Sequence, residues 1–161
     1  MAKLSRILTT LAAISLAQCS LADDSVEMLD ATQPEKIAAV MQDLGYRSKL
    51  EIADEGDPVI RSGVGGSSFS IHFYGCSEEN NDQCTILMFV VSYELDDELS
   101  SEDMNSWNEA AMFGRAYIDD DRDAVLEWSV DMFGGVSRKN FEDAFEVWEE
   151  TVGSFEDHID F

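Results

Sequence analysis

Basic side chains are scarce in this chain: 10 Lys and Arg stand against 34 Asp and Glu, for a formal net charge of −24. Affinity for nucleic acid rests on Lys and Arg displacing counterions from phosphates, and the same residues hold anionic lipid. Both are excluded as partners. Histidine is rarer still, with only His72 and His158. His72 could serve as a general base, but the sequence offers it no nearby serine or cysteine nucleophile to activate, and a satisfied or exposed strand histidine is the expected reading. Cysteine is limited to Cys19, Cys76 and Cys84, which is too few for a zinc site without matching histidines. There is no Cys-x-x-Cys and no basic neighbour to lower a thiol pKa, so a redox-active pair is also disfavoured.

Long apolar runs are missing too, apart from one near the start. Lys3 and Arg6 precede ILTTLAAISLA, which is too short to span a bilayer as a stable helix. The pattern predicts a secretory signal peptide over residues 1–22. Ser20-Leu21-Ala22 puts small residues at positions −3 and −1 of a cut between Ala22 and Asp23. Leu16-Ala17-Gln18-Cys19 faintly resembles a lipobox, but Gln18 stands where that motif wants a small residue. Lipidation at Cys19 is the lesser alternative. The expected product is a periplasmic chain with no membrane segment, 139 residues long, in which eight basic residues face 34 acidic ones and the net charge is −26. That length fits one domain, read as an acidic leader over 23–31 and a folded unit over 32–161. Aromatic residues spread through periodic segments argue against disorder.

The most informative stretch runs from Gly65 to Tyr93. Two segments rich in aromatic and β-branched residues, Phe69–Tyr74 and Thr85–Tyr93, flank a polar loop with a cysteine at each end. This predicts a β-hairpin. Cleavage would leave Cys76 and Cys84 alone in an oxidising compartment, where they should pair as a structural disulfide. Closing so small a loop removes about 2.5 kcal/mol of unfolded-state entropy in the chain-entropy model.

In chain order, Thr32-Gln33-Pro34-Glu35 offers a capping box for a helix carrying Ile37, Val40, Met41 and Leu44 on one stripe, with Gly45 as terminator. Two short strands around Asp54-Glu55-Gly56-Asp57 form a hairpin. Gly63, Gly65 and Gly66 invite comparison with a phosphate-cradling loop, but no helix and no Lys-Ser/Thr follow, so they read as a tight turn. In the next strand Phe69, Ile71 and Phe73 share one face and Ser70, His72 and Tyr74 the other. Thr85–Tyr93 is apolar at nearly every position, as in a central strand covered on both faces. Ser100 or Ser101 caps a second helix with Met104, Trp107, Ala111 and Met112 roughly on one side, ended by Gly114. Strands over 115–118 and 124–132 bracket Asp119-Asp120-Asp121-Arg122-Asp123. Asp119, Asp121 and Asp123 copy the alternating ligands that open a calcium loop. The match stops there, because Ala124 replaces the required glycine and Val130 the bidentate glutamate. These aspartates remain only a weak calcium candidate, and no other metal or cofactor is expected. After Gly134 and Gly135, Ser137 caps a last helix bearing Phe141, Phe145, Trp148, Val152, Phe155 and Ile159, a stripe for the core or for a dimer seam. The expected fold is α+β, in the order α-β-β-β-β-α-β-β-α, with a single antiparallel sheet packed by helices.

The runs G-G-x-x-F-S-I-H-F-Y-G-C, C-T-I-L-M-F-V-V-S-Y, N-S-W-N-E-A-A-M-F-G-R-A-Y and F-G-G-V resemble the YbjN-domain family, over roughly residues 28–157. The resemblance implies a small bacterial protein linked to sensory transduction regulation, in an exported version with two cysteines in this hairpin. It also implies a fold similar to that of type III secretion chaperones, which bind partner polypeptides and often dimerise. The matching positions are Gly65, Gly66, Phe69, Gly75, Cys76, Cys84, Trp107, Asn108, Phe113, Gly134 and Gly135, each readable as architecture. The family brings no catalytic residue. A non-enzymatic, chaperone-like module that binds a protein of unstated identity, with a homodimer as one form, is the leading expectation. The alternatives are a hydrolase using paired carboxylates in a pocket and an acidic cation binder.

Overall fold

The computed structural model describes residues 26–54, 56–77, 79, 82–97 and 99–161. The expected signal peptide, its cut at Ala22–Asp23 and the lipobox cysteine Cys19 lie outside these residues. Eleven elements follow one another: β1 (Met28–Leu29), α1 (Pro34–Asp43), β2 (Lys49–Ile52), β3 (Pro58–Val64), β4 (Ser67–Tyr74), β5 (Ile86–Tyr93), α2 (Ser101–Ala110), β6 (Arg115–Ile118), β7 (Ala124–Asp131), β8 (Val136–Ser137) and α3 (Arg138–Ile159).

The expectation of a single sheet is wrong. Six strands form one antiparallel sheet in the order β2-β3-β4-β5-β7-β6, and β1 and β8 form a separate two-stranded one. Met28 pairs with Ser137 and Leu29 with Val136, so the end of the stretch read as a loose leader is built into the fold. Leu29 and Ala31 are buried in the core. A strand of two residues inside an acidic run is too short to show alternation, which is why periodicity missed it. Gly134 and Gly135, at φ +78° and +83°, make the turn that delivers β8. A Cβ on Gly135 would sit 3.4 Å from the Leu29 carbonyl oxygen.

Local chemistry explains most element ends. Val64 pairs with Ser67 across Gly65 and Gly66, whose φ angles of +61° and +110° suit the two-residue turn that matches strand twist. The Cys76 and Cys84 sulfurs lie at disulfide distance, 2.13 Å, across the β4–β5 hairpin. In α2 the Ser100 hydroxyl accepts the Asp103 N–H while the Asp103 carboxylate accepts the Ser100 N–H. The same arrangement, expected at Thr32 for α1, is absent there: α1 begins one residue later, with Gln33 as an N-cap that makes no side-chain bond, while Thr32 donates its hydroxyl back to Asp30.

One face of the large sheet carries the core. Phe69, Ile71, Phe73, Leu87, Phe89 and Leu126 cluster with Ile37, Val40 and Met41 of α1 and with Phe141, Phe145, Trp148, Val152 and Phe155 of α3. Trp148 is fully buried, its ring 5.5 Å from Phe89 and 5.9 Å from Phe69. The apolar stripe of α3 is therefore consumed inside the chain. The opposite face presents Val59, His72, Met88, Val90 and Val125. Val59 and Val125 are buried yet stand outside the helix-covered cluster. β5, expected to be covered on both faces, is covered by helices on one, and Ile86, Met88 and Val90 are half-buried on the other.

Candidate functional site

Helix α2 stops at Ala110, four residues before the glycine expected to end it. The reason lies in Asn108. Its side-chain oxygen accepts the Ala116 N–H at 2.8 Å and its amide donates to the Ala116 carbonyl at 2.9 Å. One side chain thus imitates a neighbouring strand and closes the outer edge of β6. The chain between these anchored points, Ala111–Gly114, is left to bulge outward, and Met112 is 88% and Phe113 41% exposed.

Behind this bulge lies an open cleft of about 600 Å³ between α2 and α3. Trp107, Ala111, Met112, Phe113 and Val147 supply its apolar lining, and Glu150, Asp157 and His158 its polar lining. Trp107 is held edge-on against Phe155 at 5.1 Å and lies 5.6 Å from the His158 ring. The His158 Nε2 donates to the Asp103 carbonyl at 2.9 Å, so this histidine locks α3 to the start of α2. The indole N–H of Trp107 is buried without an acceptor among the described residues. The lining is largely apolar, and its one histidine is spoken for: besides the Asp103 carbonyl, His158 Nε2 has the Ser106 hydroxyl at 3.5 Å, and no carboxylate is hydrogen-bonded to that ring among the described residues.

A second hollow, about 700 Å³, lies beside the Gly65-Gly66 turn. Glu156 accepts from Ser67 at 2.5 Å and from Tyr93 at 2.8 Å. Burial, above all, pushes the Tyr93 phenol up from its ordinary value, and the Glu156 carboxylate adds to this. Tyr93 stays protonated and donates, tying α3 to the turn.

Sequence reasoning missed one pairing that has the look of chemistry. Ser70 Oγ lies 2.8 Å from His72 Nε2, contrary to the expectation that His72 has no serine beside it. The signal was available, since residues two apart on a strand share a face. No carboxylate is hydrogen-bonded to His72 among the described residues. Burial and then the nearby Arg61 charge lower its pKa, which opposes the imidazolium that a base must become. The pair satisfies a buried hydroxyl and a half-buried ring.

Asp119, Asp121 and Asp123 lie in the β6–β7 turn, but their carboxylates do not converge. Asp119 Oδ1 accepts the N–H groups of Asp121 at 3.0 Å and Asp123 at 2.9 Å, so that oxygen folds the loop. Among the described residues no group of three or more His, Cys, Asp or Glu side chains is placed to hold a metal ion. Where carboxylates are displaced from their ordinary values, at Glu51 beside Lys49 and at Asp103 beside Ser100, the displacement is downward. A hydrolytic acid needs the opposite. No helix among the described residues is long and apolar enough to cross a membrane.

The elements that carry Trp107-Asn108, the Gly65-Gly66 turn and the Gly134-Gly135 turn define a class: small α+β domains whose marked positions close turns and strand edges. The sequence model of the YbjN family, described as "Putative bacterial sensory transduction regulator", matches residues 33–161, and the chain belongs to that family. No curated protein matches the chain, and no solved structure does.

Proposed function

We propose that the chain works by binding a protein partner rather than by catalysis, and that the cleft between α2 and α3 is its contact surface. The observation that carries this reading is the exposure of Met112 and Phe113 at the mouth of an apolar cleft walled by Trp107. Exposed apolar groups next to a preformed concavity cost solubility unless something covers them. The family description supports a regulatory role for such binding. Export to the periplasm is part of the proposal; it rests on Lys3, Arg6 and the apolar run that follows, and a cysteine pair at bonding distance fits an oxidising compartment.

The test is a photoreactive residue placed in living cells at Met112, with Ile52 as control, since Ile52 is 67% exposed on β2 at the far edge of the sheet. The expected result is one identified partner crosslinked from position 112, absent from position 52 and lost when Phe113→Asp is added. Equal labelling from both positions, or none, contradicts the reading. The mass of the mature chain tests export: it should begin at Asp23.

A further inference from the structure

Strand β7 is partnered on one side along its whole length and on the other along only half. β5 pairs with all of Ala124–Asp131, whereas β6 pairs with residues 124–127 alone. Successive residues of an antiparallel strand direct their N–H and C=O groups to opposite sides. Just beyond β7, Met132 donates to the Thr85 carbonyl, and just before it Asp119 donates to the Asp123 carbonyl. In this register the even-numbered residues of β7 bond to β5 and the odd-numbered ones turn toward β6. The clamp of Asn108 on Ala116 agrees, because Ala116 faces away from β7. Val125 and Glu127 therefore meet Tyr117 and Arg115, while Ser129 and Asp131 point their backbone groups where no strand lies among the described residues. Both are exposed.

The vacancy has a structural cause. β6 cannot extend backward because Gly114, at φ +76°, turns the chain out of the sheet. A Cβ there would stand 2.8 Å from Leu126 Cδ1 and 3.2 Å from Thr151 Cγ2. The departing chain lays Phe113 edge-on against Trp128 at 5.7 Å. The vacant position thus has an apolar side, with Trp128, Val130 and Phe113, and a polar side, with Ser129 and Asp131. A hollow of about 470 Å³, lined in part by Met88, Gly114, Trp128 and Ser129, lies there.

We propose that this half-edge receives an extended segment of the partner polypeptide as an added strand, with apolar residues over Trp128 and Phe113 alternating with basic residues over Asp131. The inference rests on the protein-binding reading and adds to it the backbone geometry and the partner's chemistry. Strand addition uses main-chain bonds for affinity and alternate side chains for selection. Charge selects the occupant: a chain of net charge −24 attracts a cationic segment, and a second copy would bring the same excess of acid against it.

The probe is an acetylated, amidated eight-residue peptide alternating valine with lysine, added to the purified chain while backbone amide exchange is followed. The lysines fall opposite Ser129 and Asp131, so their nitrogens make the bonds. The peptide should slow exchange at Ser129 and Asp131 at least about tenfold. Methylating the lysine backbone nitrogens should abolish that protection, and methylating the valine nitrogens should spare it. A valine–glutamate peptide should give none, and Asp131→Asn should weaken the lysine peptide about threefold. Equal protection by the glutamate peptide, indifference to the site of methylation, or protection that grows with protein concentration in the absence of peptide would each overturn the proposal. A partner crosslinked from Met112 with no protection at Ser129 and Asp131 overturns strand addition and leaves cleft binding standing; failure of the crosslink as well removes the protein-binding reading.

Discussion

The two halves of β7 show how one sheet edge is closed and left open within eight residues. Over Ala124–Glu127 the strand is paired with β6, and the Asn108 side chain in turn clamps the outward-facing backbone of Ala116 on β6. Over Trp128–Asp131 the cover ends at Gly114, and the exposed Phe113 ring leans on the half-buried Trp128 where a strand would otherwise pair. The difference is produced by two residues six positions apart, Asn108 at the clamp and Gly114 at the turn. Open edges invite aggregation, and folds usually blunt them. Here one half is blunted, and beside the other Phe113 packs edge-on against Trp128.

The contrast can be broken most forcefully at Gly114. Gly114→Ala forces a side chain into a left-handed backbone and against Leu126, and should cost about 3 kcal/mol in denaturant unfolding. A loss below 1 kcal/mol would mean that the turn is not fixed by glycine. The neighbouring β4–β5 hairpin offers a covalent comparison: Cys76→Ser with Cys84→Ser should cost about 2.5 kcal/mol, measured the same way against the oxidised chain. Asn108→Ala deletes the clamp and should cost about 2 kcal/mol, one for each bond to Ala116, while Ser129→Ala on the open half should stay within about 0.5 kcal/mol. Equal effects at 108 and 129 would erase the distinction between the halves.

The smallest effect belongs to His72 on the face without helices. Burial lowers its pKa, so the fold favours the neutral ring. As pH falls below the ordinary value of 6.5, the unfolded chain binds a proton that the folded chain resists. Stability should fall with pH through that window and level off below the folded value. Acidification also relieves repulsion among the surplus acids, so the informative quantity is the difference between the wild type and His72→Gln. That difference should shrink on acidification; one that grows would reverse the sign.

Much of the fold was legible where a pattern repeats. Phe69, Ile71 and Phe73 alternate, and the stripe from Phe141 to Ile159 recurs at helical steps; both sets lie where periodicity puts them, in the core. The order of the six long strands and three helices followed from the same signals. What failed had no repeat to read. Met28–Leu29 is two residues long, and its pairing with Val136–Ser137 depends on the turn at Gly134 and Gly135, more than a hundred residues away. The capping box read at Thr32 failed because the helix starts one residue later, at a Gln33 N-cap, and Thr32 turns its hydroxyl to Asp30. In the site, Trp107 was legible as part of the helical stripe, whereas Asn108 was marked by resemblance alone, because what it does depends on where Ala116 arrives. Ser70 and His72 could have been paired from their spacing. The vacant half of β7 could not, since a missing neighbour leaves no trace in the residues that lack it.

Residue-resolved hydrogen exchange on the free chain tests the difference between the two halves most directly. The account predicts strong protection at Ala116, Val125 and Glu127 and exchange near the unprotected rate at Ser129 and Asp131. Protection at Ser129 and Asp131 equal to that at Val125 would contradict it, because the edge would then already be occupied.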